Sequence, residues 1–486
     1  MRYARESPTG RYPERGRTLV VSGVLASCAS AALFFMLPQY FSIVSEPHSP
    51  RGEKDTGVVA VEQALPATVA ESSSTTPSST STRSQALHAT STAITASTST
   101  TTPALPAYQP IPDAVKAIYM SQCVVGTPSF REDLVQLVEE TELNSIIIDI
   151  KDYTGKLAFT TDHPELVESV SDQCGARDMA AFIEHLHEKG IYVIGRITVF
   201  QDPFYSRKHP EYAVKFADPP GEVWQDHKGL SFIDVGAKPF WDYIITISRE
   251  AHALGFDELN YDYIRFPSDG PMSNILFEWA GQTPKAVAVE EFFAYLHAAM
   301  KDERAYPPGV EPPIISADLF GMVTTNYDDL NIGQVLERAM PYFDYIAPMI
   351  YPSHYPDGFN GWSDPNAVPY ELIKYVLDSA VERAVASSSR VEWLGGEPIY
   401  ETLVVPPVSS TTATTTERIF TGRYTKEVYD PNIIRPWLQD FDYGGDYDVA
   451  EVRAQIRATY DAGLNSWMLW APSNRYTRGA LDASEE

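Results

Sequence analysis

The chain is poor in cysteine and in positive charge. Three cysteines in 486 residues, Cys28, Cys123 and Cys174, exclude a disulfide-built scaffold, and no Cys/His spacing resembles a zinc site. Lys and Arg number 37 against 65 Asp and Glu, a formal net charge of −28. A phosphate backbone needs a basic footprint, so nucleic acid is excluded as the main partner. The surplus of acid aids solubility and suits a neutral or cationic ligand. Also absent are GxSxG, GxxxxGK[ST], HExxH and a GxGxxG following a strand. No cofactor is implied, and no metal is specified by spacing, although Asp149, Asp152 and His354 carry the right donor atoms.

What is present begins with an asymmetric N-terminus. Residues 1–17 form a basic tail with Arg2, Arg5, Arg11, Arg15 and Arg17 against Glu6 and Glu14. Residues 18–44 are largely apolar and carry no charge; about 20 such residues span a bilayer. Basic charge on the N-terminal flank keeps that flank in the cytoplasm. The segment reads as a transmembrane signal-anchor, with a cleaved signal peptide as the alternative. Leu25-Ala26-Ser27-Cys28 also resembles a lipoprotein box that would lipidate Cys28, but apolar sequence (ALFFML) continues beyond it. Residues 45–107 are rich in Ser, Thr and scattered Pro, with few large apolar side chains. Such a segment cannot offset its ordering entropy and is expected to be a disordered stalk. The predicted localisation is membrane-anchored, with everything after residue 44 outside the cytoplasm.

From residue 108 onward the pattern changes. Short apolar runs recur and end in polar or aromatic residues: AVKAIYMSQCVV (114–125), SIIIDIKD (145–152), IYVIGRITVF (191–200), DELNYDYIRFP (257–267), PIISADLF (313–320), YIAPMIYPSHY (345–355), IIRPWLQDF (433–441) and SWMLWAPS (466–473). Helical segments are expected between them, near 131–140, 178–189, 239–254, 285–303, 332–341, 367–384 and 449–462. Eight strands with interleaved helices predict one α/β domain over 108–486, a (β/α)8 TIM barrel. Insertions are expected at about 201–236 and 385–430. Little chain remains for an eighth helix. Cys123 is placed at the end of the first strand and Cys174 in the loop after the second; a disulfide and two free thiols both remain open.

A barrel carries its chemistry at the carboxyl ends of its strands. Alternation puts Asn260 and Asp262 on one face of the fourth strand and Leu259, Tyr261 and Tyr263 on the other. An inward carboxylate is costly unless paired or used. On the fifth strand Ser316 and Asp318 share a face. Two carboxylates on adjacent strand ends fit glycoside cleavage, one as nucleophile or base and the other as acid. Asp262 and Asp318 are therefore the candidate catalytic pair. Arg196, at the end of the third strand, or Arg265 could hold Asp262 ionised. Asp149, Lys151 and Asp152 end the second strand, where Asp149 and Lys151 either pair with each other or bind sugar hydroxyls. Tyr351, His354, Trp437, Gln439 and Trp470 complete a candidate substrate-binding set with Arg196, Asn260 and Arg265. Aromatic rings there either stack on sugar or are buried in the barrel.

The segments IIIDIKDYTG, GIYVIGRITVFQDP, LSFIDVGAKPFWDYI, LGFDELNYDYIRFPSDG, ISADLFG, YIAPMIYPSHY and IRPWLQDF resemble a bacterial family of glycoside-hydrolase-like proteins with a TIM-barrel domain, first described as a domain of unknown function. The resemblance covers most of 114–475 and extends distantly to the α-amylase-like clan. It implies a nucleophile Asp after the fourth strand and an acid carboxylate after the fifth, positions that Asp262 and Asp318 occupy. The clan's acid is usually Glu, and here it is Asp. The expected function is a membrane-anchored hydrolase of an extracytoplasmic polysaccharide. A non-catalytic carbohydrate-binding barrel is the alternative, and a metal-dependent deacetylase-like enzyme a third reading.

Overall fold

The computed structural model describes residues 106–392, 395–405 and 415–484. The expected membrane span at 18–44 and the stalk up to residue 105 lie outside the described residues. Among the described residues no helix is long and apolar enough to cross a membrane.

Among the described residues eleven strands form two sheets. Eight of them close a parallel barrel: β1 (Lys116–Met120), β2 (Ser145–Lys151), β3 (Tyr192–Thr198), β4 (Glu258–Asp262), β5 (Ile314–Phe320), β6 (Tyr345–Ile350), β10 (Trp437–Gln439) and β11 (Trp467–Trp470). Their order around the barrel follows the chain, and β11 pairs with β1 to close it. Closure leaves no barrel edge exposed. The expected run 433–441 is a barrel strand only at 437–439. Pro436 has no N–H to give the ladder, and Arg435 reaches β6 through a single backbone bond to Ile346.

The connecting helices are α1 (Pro128–Glu139), α2 (Met179–Glu188), α3 (Lys238–Ala253), α4 (Lys285–Met300), α5 (Leu336–Ala339), α6 (Pro369–Val385) and α7 (Val449–Asp461). Gly190, at φ +73°, follows α2 in the left-handed conformation that terminates helices. The helix expected at 332–341 is a single turn. Leu330, Asn331 and Gly333 all have positive φ, and a Cβ on Gly333 would lie 2.8 Å from the Lys285 carbonyl oxygen. The chain there turns tightly against α4 and has no room for a longer helix. Among the described residues after β11, the one helical element is the short 3-10 turn Arg478–Ala480.

Two apolar layers result from the strand period of two. Outward residues such as Ile146, Ile148, Leu259, Tyr261, Ile315 and Leu319 pack under the helices in the main core. Inward residues Ala117, Tyr119, Ile147, Tyr192, Ile194, Ala347, Trp437 and Met468 fill the lumen as a separate cluster. The 201–236 insertion is folded, with its own small core of Val214, Trp224 and Phe232. The 385–430 insertion holds β7 (Ser388–Ser389), β8 (Pro398–Val405) and β9 (Thr415–Thr425), an antiparallel sheet in the order β7-β9-β8. A disulfide joins Cys123 and Cys174, whose Cα atoms are 4.4 Å apart. Cys123 lies in the short helix Gln122–Val125 rather than at the end of a strand.

The chain enters the barrel from its amino-terminal end. Gln109 N–H donates to Asp257 Oδ1 at 2.7 Å, and Tyr108 OH donates to the His252 carbonyl at 3.0 Å. Both contacts lie beside the start of β4, opposite the carboxyl ends of the strands.

Candidate active site

The inward residues of β3, β4 and β5 build one polar column through the lumen. At its floor Arg435 Nη1 donates to both oxygens of Glu258, at 3.0 and 3.1 Å, and Tyr192 OH and Ser316 Oγ donate to the same carboxylate. Asn260 Nδ2 donates to Ser316 Oγ at 3.0 Å and to Asp318 Oδ1 at 2.8 Å. Asn260 is thus an internal support and does not face the opening. A buried ion pair such as Glu258–Arg435 is weak support for stability but fixes the groups bonded to it.

At the carboxyl end of the column Arg196 sits among three carboxylates. Its Nη1 donates to Asp149 Oδ1 at 2.5 Å, its Nη2 to Asp262 Oδ2, and its Nε lies 3.5 Å from Asp318 Oδ2. The guanidinium is 16% exposed, whereas the three carboxylates are 5% exposed or less. One shared guanidinium keeps Asp262 and Asp318 inside the ~9.5 Å limit over which paired carboxylates cleave glycosides.

Burial and the Asp262 charge push the Asp318 carboxyl up to about 8, against the pull of Arg196, Asn260 and Trp437. Its Oδ1 accepts from Asn260 Nδ2 and from Trp437 Nε1, both at 2.8 Å. Among the described residues its buried Oδ2 has no hydrogen-bond partner. The proton of neutral Asp318 therefore belongs on Oδ2. Asp262 Oδ1 accepts from the Tyr263 N–H at 2.5 Å, and Tyr263 has φ +53°. A bulky residue in the left-handed region is strained, and such strain gathers at functional sites.

The other candidates separate into those at the mouth and those turned away. Asp152 accepts two bonds from Thr154, and burial pushes its carboxyl up to about 6. Lys151 does not pair with Asp149 or reach the mouth. The register shifts between the two residues, and Lys151 turns outward to a buried pair with Asp202 at 2.9 Å. Arg265 does not hold Asp262; it donates to the Phe266 carbonyl and Ser268 Oγ and packs against the rings of Tyr263 and Phe320. Trp437 is buried and serves Asp318, so it offers no open face to a sugar. Gln439 is buried as well, and accepts from Ser353 Oγ at 2.8 Å, tying the end of β10 to the loop after β6.

That loop contributes to an aromatic group. Tyr351 stacks on Trp470 with ring centroids 5.1 Å apart, and Phe441 meets Trp470 edge-on at 5.0 Å. His354 packs edge-on to Tyr351 and Phe441 and near Tyr443. Sequence reasoning missed Tyr119, whose OH donates to Asp149 Oδ2 at 2.5 Å. Its signal was only parity: Ala117 and Tyr119 alternate with the outward Ile118 and Met120.

A family described as "Putative glycosyl hydrolase domain" matches residues 117–394 and 405–476. The chain belongs to this family. The unmatched residues 395–404 include most of β8, on the inserted sheet. Among solved structures, a hypothetical protein from Ruminiclostridium thermocellum ATCC 27405 is 32% identical over 41% of this chain and 96% of that one, with a TM-score of 0.35. The glycoside hydrolase domain of PgaB (BpsB) from Bordetella bronchiseptica is 11% identical over 74% of this chain and 95% of its own, with a TM-score of 0.47. Alpha-L-fucosidase isoenzyme 2 from Paenibacillus thiaminolyticus is 12% identical over 76% of this chain and 47% of its own, with a TM-score of 0.45. No curated protein matches the chain.

Proposed function

We propose that this family member hydrolyses a glycosidic bond in a polysaccharide outside the cytoplasm, using Asp318 as general acid and Asp262 as nucleophile or charge stabiliser. The observation that carries the reading is the unequal treatment of two neighbouring carboxylates. Asp262 is held against Arg196, whereas Asp318 is buried and driven neutral with its proton on an oxygen that lacks a protein acceptor. Environments that push two carboxyl groups apart divide acid from base or nucleophile. Asp318 Oδ2 gives its proton to the glycosidic oxygen as the C1–O bond breaks. The Asp262 carboxylate meets the positive charge that develops at C1, water supplies the hydroxyl of the product, and the water's other proton returns to Asp318. The rings of Trp470 and Phe441 are suited to the apolar face of a sugar.

Leaving-group dependence tests the roles. Asp318→Asn should lose about 10²–10⁴ of activity on natural glycosides, the usual contribution of a general acid, and far less on activated aryl glycosides that need little protonation. Equal loss on both substrate types would remove Asp318 from the acid role.

The residues after 44 are placed outside the cytoplasm in this reading. The arginine-rich flank before an uncharged apolar run supports that orientation, and the Cys123–Cys174 disulfide suits an oxidising compartment. Protease added to intact spheroplasts should release the barrel, and full protection would refute the orientation.

A further inference from the structure

Asp149 was a candidate for substrate binding, but its bonds describe a different task. A guanidinium offers five N–H donors in a planar fork, and here three carboxylates divide it unequally. Asp149 and Asp262 each take a terminal nitrogen, while Asp318 is left with Nε at 3.5 Å, too long for a good hydrogen bond. Asp149 is itself fixed twice. Its backbone pairs with Arg196 in the β2–β3 ladder, and its Oδ2 is held by the Tyr119 hydroxyl at 2.5 Å.

We propose that Asp149 is a positioning residue that draws the Arg196 guanidinium toward β2 and away from Asp318, so that Asp318 keeps the proton that an acid needs. This inference rests on the acid role given to Asp318 above. Asp318 is faced by Asp262 and Asn260 from β4, Arg196 from β3, Trp437 from β10 and Tyr351 beyond β6. Asp149 is faced by Tyr119 from β1, Arg196, Asp262, and Asp152 from its own strand end. Removing the Asp149 carboxylate frees the fork to bond Asp318, and that bond favours the ionised form of Asp318. Tyr119 then acts at one further remove, by holding Asp149 in place.

The test follows the Asp318 carboxyl directly, by ¹³C NMR of aspartate-labelled protein, with Asp318→Asn assigning the resonance. In wild-type protein burial and the Asp262 charge should place the Asp318 midpoint well above the usual carboxylate range, at about 8. In Asp149→Asn that midpoint should fall by about one pH unit or more, and the basic limb of kcat/KM should move with it. Asp149→Glu, which keeps the charge, should restore a midpoint close to wild type. Asp149→Ser carries the same test should the Asn variant not fold, with near-UV circular dichroism as the check. A midpoint that stays or rises in the uncharged variants overturns the inference. A midpoint that falls in a protein that cleaves no glycoside leaves the placement of Arg196 standing and overturns the hydrolase reading instead.

Discussion

The two sides of the barrel mouth are built on different principles. On the β2–β5 side the functional groups are charged, sit on the strands themselves, and are nearly sealed from water: Asp149, Arg196, Asp262 and Asp318 are each held by at least one short polar contact. On the β6–β11 side the groups are aromatic, and most follow the strand ends: Tyr351, His354, Phe441 and Tyr443, with Trp470 closing β11. They touch through ring faces and edges; Tyr351 is buried, Phe441, Tyr443 and Trp470 are half-buried, and His354 is exposed. Rigid strands can hold opposed charges at fixed spacing in low dielectric, where small displacements change proton affinity. Ring contacts tolerate displacement and recognise surface rather than charge. One side should therefore set the rate and its pH dependence, and the other the affinity. Trp437 crosses the division, as an aromatic on β10 whose indole N–H serves Asp318.

The sharpest break would come from Asp262. Asp262→Asn should abolish turnover of every glycoside while the protein stays folded, because the group that meets the developing charge is gone. Wild-type turnover in this variant would end the mechanism and favour a binding barrel, with the aromatic side as the whole of the function.

Stability against pH gives the next largest effect. Burial and the Asp262 charge raise the Asp318 carboxyl to about 8 in the folded protein, against about 4 in an unfolded chain. Between those values the folded state keeps a proton that the unfolded state releases. This group's contribution is therefore full below pH ~4 and is lost as pH rises to ~8, at about 1 kcal/mol per pH unit. Asp318→Asn cannot ionise, so its melting temperature should gain on wild type between pH 5 and pH 8. A constant difference would show that Asp318 is not held neutral.

The aromatic side should answer in binding. Trp470→Ala should raise KM roughly tenfold, in line with ~1.5 kcal/mol for a lost ring partner, and leave kcat and the pH profile close to wild type. A large fall in kcat instead would merge the two sides into one unit. Trp437→Phe should give the smallest change. It removes a donor that favours the ionised form of Asp318, so the basic limb should move to higher pH, by less than in Asp149→Asn and in the opposite direction. A shift to lower pH would place Trp437 with the affinity side.

By itself the sequence determined the barrel and the inward faces of β4 and β5, which put Asp262 and Asp318 on neighbouring strand ends. These are local properties, since a period of two and the alternation of apolar runs with helices are written in adjacent residues. Parity placed Asn260, Asp262, Ser316 and Asp318 on the inward faces where they stand. Parity failed at Lys151, because a register shift after Asp149 turned it to Asp202, and no local signal marks that shift. Nor could sequence assign Arg196 its three partners, give Trp437 to Asp318, or join Cys123 to Cys174, since each contact links residues at least 47 apart. Proton affinity belongs to the tertiary structure for the same reason. It depends on burial and on distances of a few ångströms between strands, so which of two aspartates stays neutral was decided only when the barrel closed around one guanidinium.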